Sequence, residues 1–356
     1  MLDGMILQRR LNPPRHLSAG AFIVSLLAGL LVVVLILLAA GAPPDTMIDD
    51  LIIQVFIAPA GLAQTVTIAT PLILVGLSSA LAMRVKFWNI GLEGQLWLGA
   101  IGASGIAIHD TGPEPLRLAV MLAVASVCGA AWIAVPLLLK VKLGVSEIVL
   151  TLLLSNTAYL LLQHLLFGAW RDPANSFPVS VQFDDAERLS LLGFGNVHGG
   201  LFIALAAALL IALLIDRTRA GFYAAAIGYN PLTARSAGLP VTATIVGVVL
   251  LSGALSGLAG GLIVAGTEYR LTQFIGANAT FSGIVIAFLA RLKPLGIVIA
   301  AIAVAGIYNA GTTLKVFYGL SDAIVVLIQG IVLLSLLVGY FFSAYRIDRR
   351  REGAAT

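Results

Sequence analysis

The sequence predicts an all-α, polytopic membrane protein of about ten transmembrane helices, with both termini in the cytoplasm. Three observations carry this reading. First, 60% of the 356 residues are hydrophobic and 11% are charged, whereas a soluble domain is about half apolar and about a quarter charged. The bilayer is therefore the main solvent. Second, the apolar stretches are about 20 residues long and lack strict alternation, which suits helices and not barrel strands of about 10 residues. Third, the basic residues fall on alternate loops, as the preference of Lys and Arg for the cytoplasmic side requires.

Taken in order, residues 1–18 form a cytoplasmic segment with Arg9, Arg10 and Arg15 ahead of the first span, 19–41. Its apolar run of 22 residues exceeds the roughly 7–15 of a secretory signal. The segment 46–60 (TMIDDLIIQVFIAPA) is short and starts acidic, and reads as a helix lying in the interface. Spans follow at 62–83, 88–109, 116–139 and 145–168. A long outer loop, 169–198, carries Arg171, Asp172, Asp184, Asp185, Glu187 and Arg188. Span 199–216 leads to a long inner loop, 217–241, and then come spans 242–266, 274–291, 294–313 and 322–344. The transmembrane domain thus covers 19–344, and 345–356 is a basic cytoplasmic tail. With this topology 16 of the 21 Lys and Arg residues fall inside.

Several function classes drop out. Gly260–Thr267 (GGLIVAGT) lacks the lysine of a phosphate loop. There is no GxSxG, no CxxC and no His pair on a helix. His16, His109, His164 and His198 are scattered at membrane edges, so neither a catalytic group nor a metal site is expected. The single Cys128 cannot form an internal disulfide, and the net charge of +4 is no argument for nucleic acid. Any uphill work draws on an ion gradient or on a partner.

Polar residues inside the spans are the candidate pathway groups. FWNIGLEGQLWLGAIGA (87–103) places Asn89, Glu93 and Gln95 within an apolar, glycine-rich stretch. Asn89 can cap a helix beginning there, and Glu93 then lies in its first turn, where the helix dipole favours a negative charge. That position is about one and a half turns from the inner end. Gly91 and Gly94 let neighbouring backbones approach. Glu93 can tie this helix to another, line the path or gate, or couple protons. Glu147 opens span five in the same first-turn manner. Asn156, deeper in that span, can join helices or line a pore. Asn278, Thr280, Phe281 and Ser282 can contact a polar, ring-bearing solute or serve packing. Gly253, Gly257 and Gly261 form a GxxxGxxxG packing ridge.

In the inner loop, Asn230 can cap a short helix with Pro231 at its first position, and Gly238 ends it before Pro240. A short capped helix with small and apolar faces beneath a membrane protein serves either as a docking element or as a packed connector.

The run Gly228, Tyr229, Asn230, Pro231, Ala234, Arg235, Gly238 resembles the cytoplasmic coupling loop of bacterial ABC-importer permeases of the simple sugar and nucleoside branch. NIGLEGQ at 89–95 resembles the signature of permeases that work with basic-membrane-lipoprotein-type binding proteins. VSEIVLTLLLSN (145–156) and GIVIAFLARLKPLGI (283–297) extend the resemblance to about residues 50–345. It departs at Ala225, where relatives often carry an arginine. The resemblance implies a permease subunit in the inner membrane that binds no cofactor itself. ATP and Mg would sit on a partner ATPase, a second homologous permease would complete a heterodimer, and an extracytoplasmic lipoprotein would deliver a small polar solute. The solute would be a nucleoside or nucleobase first, a simple sugar second. The alternative is an ion-coupled secondary transporter or channel, which predicts charged residues near the bilayer midplane. Both intramembrane glutamates are expected near the inner edge, which counts against it.

Overall fold

A computed structural model describes residues 5–9, 15–47, 49–276 and 279–349. In chain order the helices are α1 (Arg15–Ala39), α2 (Gln54–Phe56), α3 (Pro59–Arg84), α4 (Leu92–Ile108), α5 (Glu114–Leu143), α6 (Glu147–Phe167), α7 (Gly200–Arg217), α8 (Arg219–Tyr229), α9 (Pro231–Ser236), α10 (Val241–Ile263), α11 (Ala279–Leu289), α12 (Pro294–Tyr318) and α13 (Asp322–Ala344). Among the described residues eight helices are long and apolar enough to cross a membrane. The other two predicted spans fall on shorter helices, α4 with 17 residues and α11 with 11. The predicted interfacial helix at 46–60 is instead a π-helical turn, Asp49–Ile53, followed by the three residues of α2. Asp50 accepts a hydrogen bond from the Tyr318 hydroxyl (2.5 Å), which fixes that segment by its side chain.

The chain divides into two compact units. One contains residues 1–55 and 307–356, the other 56–306. In the first, α1 packs along α13, and Leu37, Met47, Leu314, Val325 and Ile328 form its core. Outside the bundle, β1 (Met5–Arg9) pairs antiparallel with β2 (Tyr345–Arg349), an element that the helical periodicity did not announce.

The second unit is built around α3 and α10, the two most deeply buried spans. The glycine ridge of α10 explains how close its neighbours come. A Cβ on Gly257 would overlap the Ala125 carbonyl and the Gly129 backbone of α5, and one on Gly260 would overlap the Leu96 carbonyl of α4. Gly253 and Gly261 also face α5, against Ile133 and Ala125. Small residues on both sides permit this backbone-to-backbone contact, and van der Waals packing is what holds helices together in lipid. Ser78 and Ser252 add a buried pair of hydroxyls between α3 and α10 (2.9 Å). Outward faces of α5 and α7 carry Val127, Leu138, Phe202 and Leu210, all exposed and apolar, as lipid-facing surfaces require.

Contacts within this unit define two ends. Arg84 donates to the Leu292 carbonyl (3.0 Å), Lys86 to the Tyr229 carbonyl (3.3 Å), and Lys140 pairs with Glu147. These residues mark a basic end. At the opposite end Arg117 bridges Asp110 (2.7 Å) and Glu187 (2.8 Å). There the long loop is knitted to the segment that follows α10 by backbone bonds, Ser180 N–H to Leu271 O (3.0 Å), Phe183 N–H to Tyr269 O (2.8 Å) and Leu189 N–H to Ala265 O (2.8 Å). The segment from Trp88 to Ile108 therefore runs from one end to the other. It is not a hairpin, but its first residues are not helical.

Candidate functional site

Residues 87–91 form a non-helical strap between α3 and α4. The strap lies along α6. Trp88 N–H donates to the Glu147 carboxylate (3.4 Å), Ile90 N–H to Thr151 Oγ1 (3.2 Å) and Gly94 N–H to Ser155 Oγ (3.3 Å). Side chains at three successive turns of α6 thus take up the N–H groups that an unwound segment would leave unsatisfied in the bilayer. A Cβ on Gly91 would strike Thr151, and one on Gly94 would strike Ser155.

Asn89 is not the helix cap expected of it. Gly91 holds the N-cap position. The Asn89 and Gln95 amides instead bond each other reciprocally, at 3.0 and 2.9 Å, and Asn89 Oδ1 also accepts from Gly91 N–H (3.1 Å). Both side chains are buried. Together they tie the strap to the first turn of α4.

Glu93 joins two helix N-termini. Its N–H donates to Thr280 Oγ1 (3.1 Å), and its carboxylate accepts from Thr280 N–H (3.2 Å) at the start of α11. Each N-terminus leaves donors without intrahelical partners, and a carboxylate there is favoured by both helix dipoles. The expected depth needs correction. Leu92 and Val75 both pack on Gly283, and nine helical residues separate Val75 from Arg84, about 13 Å at 1.5 Å per residue. Glu93 is thus well inside the unit rather than a turn and a half from the basic end. The reason is the strap: from Trp88 at Glu147 to Ile90 at Thr151 it passes four residues of α6, about 6 Å, where two helical residues would climb about 3 Å. Of the two intramembrane glutamates, Glu93 is therefore not at the inner edge, and its place does not count against ion coupling. Glu147 does stay at the basic end, paired with Lys140.

Above Glu93 is an aromatic surface that the sequence reading did not single out. Trp97, one turn on, donates its indole N–H to the Ile275 carbonyl (2.7 Å). Its ring meets Tyr159 of α6 with centroids 5.3 Å apart, and the Tyr159 hydroxyl is bonded by Gln163 (2.5 Å). The four-residue spacing from Glu93 to Trp97 puts them on one helix face and was legible; contact with Tyr159 required the fold. Phe281 is exposed beside Thr280. Asn156 is exposed on α6 among Leu152, Leu153 and Leu160, and its amide donates to the Leu152 carbonyl of its own helix (3.2 Å). Asn278 lies outside the described residues.

In the inner loop, the Asn230 side chain accepts from Leu232 N–H (3.0 Å) and Thr233 N–H (3.2 Å), with Pro231 at the first helical position. Gly238 follows the helix at φ +78°, a conformation that suits a residue without Cβ. The preceding α8 is an additional helix, to which the sequence analysis assigns no structure. Tyr229, Leu232 and Arg235 are exposed, whereas Ala234 is buried against Ile227 and Val241, and Gly228 lies against the Arg84 carbonyl. Internal packing therefore holds for Gly228 and Ala234, whereas Tyr229, Leu232 and Arg235 face outward.

The family model described as "Branched-chain amino acid transport system / permease component" matches residues 61–337. The chain is similar to the glucose ABC transporter permease protein TsgB13 of Haloferax volcanii, 32% identical over 98% of this chain and 96% of that protein. It is similar to the guanosine ABC transporter permease protein NupP of Bacillus subtilis, 26% identical over 94% and 96%. It also resembles the nucleoside ABC transporter permease protein NupB of Lactococcus lactis subsp. cremoris, 28% identical over 79% and 80%.

Proposed function

Because the chain belongs to the family of branched-chain amino acid transport system permease components, we propose that it is the solute-conducting subunit of an ATP-driven importer for nucleosides or nucleobases. The family fixes its role as a multi-pass membrane transport component of the ABC type and not an enzyme. It does not fix the solute, since the family description names amino acids while relatives matching most of the chain are named for glucose, guanosine and nucleosides.

The observation that carries the reading is the union, in one unit, of an exposed capped helix and a polar, partly unwound span. The carbonyl of Tyr229, at the α8–α9 junction, accepts from Lys86 (3.3 Å). Lys86 directly precedes the 87–91 strap, which leads into α4 and Glu93. A push on α8 and α9 by a partner ATPase is transmitted through this bond and through the Gly228–Arg84 contact to the Glu93–Thr280 pair. ATP and Mg are held by that partner, and this chain does no chemistry on the solute. A second homologous permease completes the pathway, an extracytoplasmic binding lipoprotein supplies it, and the basic end faces the cytoplasm of a bacterial inner membrane.

A simple sugar is the second reading, favoured by the 32% identity with the glucose permease. The test is a mild-detergent pull-down of tagged protein from its native membrane with mass spectrometry. Recovery of a phosphate-loop ATPase, a second permease and a lipoprotein is expected, and the ligand carried by the lipoprotein names the solute. A chain recovered alone across several detergents would move the assignment to a secondary transporter.

A further inference from the structure

We propose that Glu93, Trp97, Tyr159 and Phe281 form the wall that recognises the transported solute, and that its chemistry selects a nucleobase carrying N–H donors on its edge. This rests on the importer reading above and deepens it.

Position comes first. Glu93, Trp97 and Tyr159 are half-buried and Phe281 is exposed. An ionisable side chain partly open on a helix face, well inside a membrane bundle, is expensive against lipid and marks a face turned to water or to another subunit. The outward faces of α5 and α7, apolar throughout Val127, Leu138, Phe202 and Leu210, show what lipid-facing surface looks like in the same unit.

Chemistry comes second. The polar atoms of both rings are already engaged, the Trp97 indole N–H by the Ile275 carbonyl and the Tyr159 hydroxyl by Gln163. What these residues still offer is ring surface, held in place by those bonds. Glu93 has one carboxylate oxygen bound to Thr280 N–H, and its second oxygen has no partner among the described residues. Four helical residues separate Glu93 from Trp97, a rise of about 6 Å. A flat heterocycle stacked on Trp97 can therefore direct an N–H edge at the free oxygen one turn below. Stacking on aromatic side chains is tolerant of base identity, so the carboxylate, an acceptor only, supplies the discrimination. A hexose has hydroxyls around its whole ring, and this wall has too few free polar groups to satisfy them.

The experiment uses the intact importer in membrane vesicles and compares uptake of labelled guanosine and labelled glucose. Trp97→Ala and Tyr159→Ala should each reduce guanosine uptake about tenfold or more, from lost stacking, while Trp97→Phe should retain most of it. A second readout avoids dependence on the folding of those variants. In a Cys128→Ser background, Phe281→Cys should react with a membrane-impermeant maleimide, and guanosine should slow the reaction whereas glucose should not. Wild-type vesicles that import no nucleoside would overturn the importer reading for this solute class. Wild-type guanosine uptake with unimpaired alanine variants, or with labelling at position 281 indifferent to guanosine, would overturn the wall alone. Glucose protection at position 281 would overturn base recognition.

Discussion

Glu93 bonds Thr280 in both directions, through its backbone N–H and through its carboxylate, so substitutions can separate the acceptor from the charge. Glu93→Gln keeps an oxygen for Thr280 N–H and should leave thermal stability in detergent near wild type. Glu93→Leu strands that donor and should destabilise by about 1–3 kcal/mol, read as a lower melting temperature and yield. A Gln variant as unstable as the Leu variant would show that the charge, not the hydrogen bond, holds the two helices. His198 supports a second prediction. It is buried beside Gly200 and Gly266, and its Nδ1 accepts from Gly200 N–H (3.2 Å). Burial depresses its pKa below the usual 6.5. The neutral form belongs to the fold, so its contribution is complete above about 6.5, the unfolded value, and declines as pH falls through the lower folded value. Protection factors of the 180–199 backbone, with the intrinsic pH dependence of amide exchange divided out, should fall as the pH drops from 7.5 to 5.5, and His198→Asn should remove that fall. Polar residues were legible here as residues, since Asn89, Glu93, Gln95 and His198 stand out in an apolar chain. Their partners were not, because Thr280 is 187 positions from Glu93 and only the fold joins them.

The length of the apolar runs located every long helix among the described residues, and the glycine ridge predicted a packing face from spacing alone. Gly257→Leu should prevent correct assembly of α10 against α5, because its side chain would enter the space of the Ala125 carbonyl and the Gly129 backbone. Gly247→Ala, with nothing within 4 Å of the added carbon, should be neutral or slightly stabilising. Comparing size-exclusion profiles of the two variants tests this directly, and a monodisperse Gly257→Leu would refute the packing argument. What run length could not show was the loss of helix at 87–91. Apart from Asn89, residues 87–91 are ordinary apolar residues and glycine, and the side chains that take up the Trp88 and Ile90 N–H groups belong to α6. The inner loop shows a similar division. Asn230, Pro231 and Gly238 announced α9 by local capping chemistry, whereas burial of Ala234 depends on Ile227 and Val241. Substitutions meant to test ATPase contact should therefore fall on exposed positions. Tyr229→Asp and Leu232→Asp should lower ATP-driven uptake at least several-fold with normal protein levels, while Ala234→Arg should lower the level itself. Full uptake by both Asp variants would remove α9 from the docking surface.

The repeated pair of turns, Arg84-x-Lys86 and Arg291-x-Lys293, reads in the sequence as two positive anchors. The fold makes them reciprocal. Gly76 packs on Ile286 and Ile297, and Gly283 packs on Val75 and Leu92, so each helix before a turn is held by the helix pair around the other turn. Both turns lie at the basic end, which gives the alternation of charge along the chain a physical counterpart in the second unit. The first unit supplies an independent constraint on topology. Met5 is paired with Arg349 and Arg9 with Tyr345, and from this pairing we propose that the two strands lie on one side of the membrane, joined by an even number of crossings. Ten crossings satisfy this, and nine or eleven do not. Sixteen of 21 basic residues then lie on the side of the termini, which charge bias assigns to the cytoplasm. A fluorescent protein that matures only in the cytoplasm should therefore shine when fused at either end, and alkaline phosphatase should be active only when inserted in the 169–198 loop. Termini reporting opposite sides would overturn the strand pairing and the even count together. Termini that both report the outside would keep the pairing and invert the orientation, placing α9 where no ATPase could reach it.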